Sequence, residues 1–156
     1  MFRIIKTLII LIIGVAVGGY LFSDTQRREF VKTRDCQGLN CFSSERLAGL
    51  LVSAGIQKAP VGKLPNVVKE TDKSVVMEHP FPETELHLLV FPKKDIKDIS
   101  DVSEEDQAYI IDALATIRAI VDEKKLSDYQ VITNGPGYQK INYLHFHLMA
   151  GPLRKK

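Results

Sequence analysis

Two of the chain's four histidines stand one residue apart in Tyr143-Leu144-His145-Phe146-His147-Leu148-Met149. Side chains of a strand alternate between its faces. A strand here therefore gathers Tyr143, His145, His147 and Met149 on one face and turns Leu144, Phe146 and Leu148 to the core. Paired imidazoles suit metal ligation, or attack by one ring on an electrophile while its neighbour handles charge. A solvated surface pair with no role fits the same alternation. The other two histidines, His79 and His87, lie upstream within the same domain-sized stretch.

The elements that must position these residues can be read from periodicity. Val67-Val68 and Val75-Val76-Met77 flank Thr71-Asp72-Lys73 and read as a β-hairpin. Leu86 to Phe91 is an apolar strand closed by Pro92, Tyr129 to Thr133 is another, and Ile141 to Met149 is the last, after an Asn134-Gly135-Pro136-Gly137 turn. Ser103, with Asp106 three residues on, opens one long helix. Its residues Ile110, Leu114, Ile117 and Val121 predict a single buried stripe. About five strands and one long helix make residues 64–151 an α+β domain.

Ahead of it, Thr7 to Phe22 runs sixteen residues without a charge. Adding Phe2, Ile4 and Ile5, with Arg3 and Lys6 snorkelling, gives about twenty residues, the length a bilayer core requires. A single-pass transmembrane anchor over residues 1–23 is the expectation. The competing reading is a cleaved signal peptide with small residues Ala16 and Gly18 at the cleavage site, but Tyr20, Leu21 and Phe22 continue the apolar run. Residues 24–63 read as a polar juxtamembrane linker. It carries a short helix near 43–55 with Leu47, Leu50, Leu51 and Ala54 at helical spacing and Gly55 as the stop. Residues 152–156 form a basic tail.

Charge and cysteine usage narrow the function classes. A net charge of +2 over 156 residues argues against phosphate neutralisation of a nucleic acid. Cys36 and Cys41 stand with four residues between them and no histidine nearby, a weak zinc pattern, so no metal is expected. Basic residues flank the apolar run almost evenly, with Arg3 and Lys6 before it and Arg27, Arg28, Lys32 and Arg34 after. The excess on the second side favours a domain facing the cytoplasm, with both cysteines free thiols. An exported domain with a small disulfide loop is the alternative.

The string from Asn134 through Gln139, Tyr143, His145 and His147 to Gly151 resembles the C-terminal signature of the histidine triad family of nucleotide hydrolases and transferases. His87-Leu-Leu-Val-Phe-Pro92-Lys93-Lys94-Asp-Ile96 is similar to that family's upstream segment. The resemblance covers residues 64–151 and implies an antiparallel sheet of about five strands with one long helix. It also implies a possible homodimer through that helix. The family motif holds three alternating histidines, and here two registers compete. The apolar pair after His147, and Gln139 six residues before His145, favour Tyr143, His145 and His147 as the three positions.

That register implies His145 as the nucleophile, His147 beside the phosphate, Tyr143 in place of the first histidine, and His87 as support from a neighbouring strand. Asn134, Gln139 and Lys140 are the expected phosphate contacts. His79, beside Glu78, stands where the family places an acidic ribose ligand, and Asp95 replaces a histidine after Pro-Lys-Lys. The implied activity is hydrolysis or phosphoramidase action at the α-phosphate of a purine nucleotide conjugate through a nucleotidyl-histidine, without a cofactor. The alternative is a non-catalytic nucleotide-binding module on the same scaffold.

Overall fold

In the computed structural model, which describes residues 2–31, 41–64 and 66–154, the β-branched runs pair into one antiparallel sheet. Strands β1 (Val67–Glu70) and β2 (Ser74–Glu78) form the hairpin. Strand β3 (Thr84–Pro92) pairs with β2 on one side and with β5 (Phe146–Leu153) on the other, and β4 (Tyr129–Thr133) closes the far edge. The order is β1-β2-β3-β5-β4. The α+β architecture with five antiparallel strands is therefore as expected.

One sheet face packs Val76, Leu88, Val90, Phe146 and Leu148 against the helix Gln107–Glu123. Ser103 caps its approach, giving both its backbone N–H and its hydroxyl to the Asp106 carboxylate at 2.8 and 2.7 Å. The fully buried residues are Ala113, Thr116, Ile117 and Ile120, and of the expected stripe Ile117 is buried while Ile110 and Val121 pack half-buried against the same core. Leu114 is 47% exposed instead. Small Ala113 and Thr116 let the helix axis approach the sheet, which large side chains at those positions would prevent.

The other face packs Val75, Leu89, Phe91 and Tyr143 against Ile56 and Val61. Ile56 belongs to a helix, Ser44–Lys58, that runs past the expected stop at Gly55. Gly49 lies where this helix crosses the chain, since a Cβ there would sit 2.2 Å from the Asn142 carbonyl oxygen. The Asn142 N–H in turn donates to the Glu45 carbonyl at 3.0 Å. These contacts draw residues 141–145 out of the last strand, so β5 starts at Phe146 rather than Ile141 and extends into the expected basic tail.

The segment expected as a linker is, in its described parts, packed into the domain. The Arg28 and Asp95 side chains form an ion pair at 0% and 1% exposure, with guanidinium–carboxylate distances of 2.6 and 2.5 Å. The Gln26 N–H adds a third donor to Asp95 at 2.7 Å. Further on, Lys58 pairs with Asp24 and lies 4.9 Å above the Tyr20 ring. That ring belongs to the N-terminal helix Phe2–Phe22, none of whose residues is buried and whose mean hydropathy is 2.3. At 21 residues it is about 31 Å long, enough to cross a bilayer by length and composition.

Cys41 is disulfide-bonded, which corrects the expectation of free thiols. Cys36, Lys32 and Arg34 lie outside the described residues.

Removing one member of a buried ion pair strands the other in low dielectric. Asp95→Ala should lower the free energy of unfolding by about 3–5 kcal/mol, whereas the paired apolar replacement Arg28→Met/Asp95→Leu should cost far less. Urea titration of the three proteins measures the difference. Equal losses in the single and double variants would contradict the burial of a mutually dependent pair.

Candidate active site

Neighbouring strands place the histidines. In the β3–β5 ladder His87 pairs with Met149 and Leu89 with His147, so the two histidines are diagonal neighbours on one face. The His87 ring nitrogen Nε2 lies 2.9 Å from Nδ1 of His147. His79 follows β2, its N–H bonded to the His87 carbonyl at 2.9 Å, and its ring stacks on that of His87 at 4.1 Å and 11°. His145 immediately precedes β5, with its ring centre 4.8 Å from that of His147 and 5.2 Å from that of Phe91. All four histidine rings meet around His147.

Backbone groups decide which ring nitrogen carries each proton. The Glu83 N–H donates to Nδ1 of His87 at 3.2 Å, so in neutral His87 the proton is on Nε2. That proton is given to Nδ1 of His147, which leaves the His147 proton on Nε2. Nε2 of His147 is 3.3 Å from Nδ2 of the Asn134 side chain, a donor, so a proton on Nε2 requires that amide turned over to present its oxygen. His145 has the opposite arrangement. Its Nδ1 donates to the Tyr143 carbonyl at 2.7 Å, so the lone pair is on Nε2. In neutral His79 the proton is on Nε2, because Nδ1 accepts the Phe81 N–H at 3.0 Å.

Burial, which disfavours charge, depresses the basicity of three rings. It pushes His147 down to about 4 from the ordinary imidazole value of 6.5, with the neighbouring His145, His87 and His79 adding to the effect. Burial lowers His87, with His79 reinforcing it. Burial also lowers His145, opposed by the hydrogen bond to the Tyr143 carbonyl. At neutral pH these three rings are uncharged. The arrangement provides one imidazole with a free lone pair beside another that presents an N–H.

Tyr143 does not join this array through its side chain. Its phenol is fully buried and donates to the Pro92 and Lys94 carbonyls, at 2.6 and 3.0 Å. Burial raises its pKa far above the usual phenol value. Tyr143 keeps to the histidine face, packed with Leu89 and Phe91 as alternation implies, but its hydroxyl turns away to those carbonyls because residue 143 precedes the strand. Its contribution to the site is the backbone carbonyl that sequence reasoning missed.

Gln139 and Lys140 are also set apart. The Gln139 amide donates to the Lys97 carbonyl at 3.1 Å, and its buried Oε1 has no hydrogen-bond partner among the described residues. Both residues border a cleft of about 1020 Å³ whose lining includes Arg27, Glu29 and Lys97 but none of the four histidines. The Glu83 and Phe81 amides, which set the tautomers, carry no sequence signal beyond the proline-punctuated loop that holds them.

Ring nitrogens of His79, His87 and His147 fall within 4.8 Å of one another, a spacing a metal can bridge. The geometry favours a hydrogen-bonded relay instead. Lone pairs of rings stacked at 11° lie in separate, nearly parallel planes, and a hydrogen bond already joins His87 to His147.

The HIT domain profile matches residues 63–152. An uncharacterized HIT-like protein of Synechococcus elongatus is 33% identical over 89 residues, spanning 55% of this chain and 78% of its own. A HIT-like protein of Chlamydia muridarum is 30% identical over 89 residues, with 55% and 71% spanned. Among solved structures, a HIT family hydrolase from Legionella pneumophila Philadelphia 1 matches with a TM-score of 0.57 and 28% identity, over 65% of this chain and 92% of that one. A histidine triad protein from Clostridium difficile shares the fold, with a TM-score of 0.54 and 22% identity over 78% and 96%.

The depressed basicity of His147 has a signed consequence. A group whose folded pKa lies below its unfolded value contributes stability above the unfolded value and loses it as pH falls. Histidine NMR titration should therefore find His147 unprotonated until close to pH 4. Its contribution to stability should fade as pH falls from about 6.5 to about 4. Protonation near 6.5 would contradict the burial argument.

Proposed function

The chain belongs to the HIT domain family, and from that premise we propose that its domain acts at the α-phosphate of a purine nucleotide conjugate through a nucleotidyl-histidine on His145. The observation that carries the reading is the His145–Tyr143 hydrogen bond, which leaves Nε2 of a neutral ring open for attack. In the first step the Nε2 lone pair bonds to the α-phosphorus, and the bond to the leaving group breaks. The leaving amine takes its proton from solvent while hydrogen-bonded to Nε2–H of His147, which stays neutral. In the second step water attacks the phosphorus, the phosphorus–Nε2 bond of His145 breaks, and the water's proton returns to solvent.

The remaining residues have supporting roles in this scheme. While phosphorylated, the His145 ring is an imidazolium, and the Tyr143 carbonyl stabilises it by accepting Nδ1–H. His87 holds His147 in the tautomer that presents a proton to the leaving group. Asn134 is a phosphate or leaving-group contact beside His147. His79, stacked on His87, borders the substrate on the side where an acidic ribose ligand was expected. Gln139 and Lys140 have at most an indirect part, since they line the neighbouring cleft. The position of the Tyr143 side chain favours an active enzyme over a silent binding module, because the His145–His147–His87 array does not pass through it.

The same reading extends to location and assembly. The N-terminal helix is a membrane anchor in this proposal. A disulfide at Cys41 favours an oxidising compartment, so the domain is proposed to face the exported side rather than the cytoplasm. A homodimer is supported by exposed Ile111 and Leu114 on the long helix and by exposed Tyr129, Val131 and Ile132 on the edge strand β4.

Two experiments test these statements. Rapid quenching with a radiolabelled adenylyl phosphoramidate, followed by peptide mapping, should place label on His145 and none in His145→Ala. Label on His147 would contradict the assignment. Impermeant maleimide should label intact cells only after reduction; no labelling of intact cells, with labelling on lysis, would return the domain to the cytoplasm.

A further inference from the structure

We propose that the segment Gln26–Arg28, outside the boundaries of the HIT domain, is a positioning element for the His145 nucleophile. The proposal rests on the role of His145 given above. Arg28 uses all five of its N–H donors. Nη1 donates to Asp95 Oδ2 at 2.6 Å and to the Gln26 carbonyl at 3.1 Å. Nη2 donates to Asp95 Oδ1 at 2.5 Å and to the Asn142 carbonyl at 2.9 Å. Nε donates to the same Asn142 carbonyl at 3.2 Å. Asp95 is held in turn by the Gln26 N–H.

These bonds complete a clamp on residues 142–144, built around three consecutive residues of the loop after β3. The Lys94 carbonyl receives the Tyr143 phenol, Asp95 holds the arginine that grips the Asn142 carbonyl, and the Ile96 carbonyl receives the Leu144 N–H at 2.6 Å. On the other side the Asn142 N–H is given to Glu45 and the Tyr143 N–H to Ile141, at 3.0 and 2.8 Å. Within this stretch the Tyr143 carbonyl is the group directed to Nδ1 of His145.

The clamp needs arginine for a physical reason. An apolar pair in place of Arg28 and Asp95 can keep the fold, but it has no donor for the Asn142 carbonyl. Lysine can neutralise Asp95 but lacks the planar fork that reaches a carboxylate and two carbonyls together. When the grip on Asn142 is lost, the 142–145 segment relaxes and Nδ1–H loses its fixed acceptor. His145 then populates the tautomer protonated on Nε2, which has no lone pair for attack. A short stretch next to the N-terminal apolar helix thereby controls the protonation pattern of the nucleophile.

The test uses the full chain in detergent, comparing wild type with Arg28→Met/Asp95→Leu and with Arg28→Lys. Turnover of adenosine 5′-phosphoramidate, AMP affinity by calorimetry and the nitrogen-15 shifts of the His145 ring are measured on each. Both variants should lose at least about tenfold in kcat while KM and AMP affinity stay within about threefold, the pattern of an interaction that matters in the transition state. Their His145 shifts should move from the Nδ1–H tautomer toward a mixture. Arg28→Lys keeps the ion pair and decides the matter if the double variant does not fold. An unchanged tautomer overturns the proposal whatever the activity. A shifted tautomer with unchanged kcat supports the clamp and overturns the nucleophile assignment instead, which separates the two failures.

Discussion

The hydrogen bond from Nδ1 of His145 to the Tyr143 carbonyl is the constraint on which the site depends. An imidazole attacks only through an unprotonated nitrogen, and a carbonyl can accept a proton but never give one. Fixing Nδ1 against a carbonyl therefore leaves the lone pair on Nε2. The fold supports this carbonyl at some cost in regularity. Residues 141–145 leave the ladder, and their backbone groups are satisfied by the Ser44–Lys58 helix, the loop after β3 and Arg28.

Crowding of imidazoles supplies the second condition, neutrality. Two cationic rings at the 4.8 Å separation of His145 and His147 would repel by about 3 kcal/mol at an effective dielectric of about 20. Burial acts in the same direction on both, and on His87. The result is that His87, His145 and His147 hold their protons in defined tautomers rather than as fixed charge. Each ring but one has its proton directed by a backbone amide or by the ring before it. The exception is His145, whose proton is directed by a carbonyl, and this asymmetry leaves its lone pair on Nε2.

Much of this was legible in the sequence. The valine-rich hairpin, the strand before Pro92 and the strand Tyr129–Thr133 declare themselves by composition and turn chemistry, and the His145–His147 spacing marks the site. What escaped follows from tertiary contacts that periodicity does not encode. Tyr143 continues the alternation of the last strand on paper, yet its phenol is drawn to the Pro92 and Lys94 carbonyls because the chain has already left the sheet. The long helix buries Ala113 and Thr116 in place of Leu114, because close approach to the sheet outweighs side-chain size. Arg28 looked like one charge in a polar linker, and Asp95 like a departure from a motif. Neither signals alone that the two are a buried pair joined across the domain.

The central claim is that the reaction proceeds in two displacements through His145, and its most direct test is the stereochemical course at phosphorus. A single diastereomer of an adenosine 5′-phosphorothioate amide, hydrolysed in water enriched in oxygen-18, reports whether configuration is kept or inverted. Two in-line displacements each invert the centre, so the account predicts overall retention. Inversion would mean that water attacks the substrate directly, and would contradict the nucleotidyl-histidine on His145.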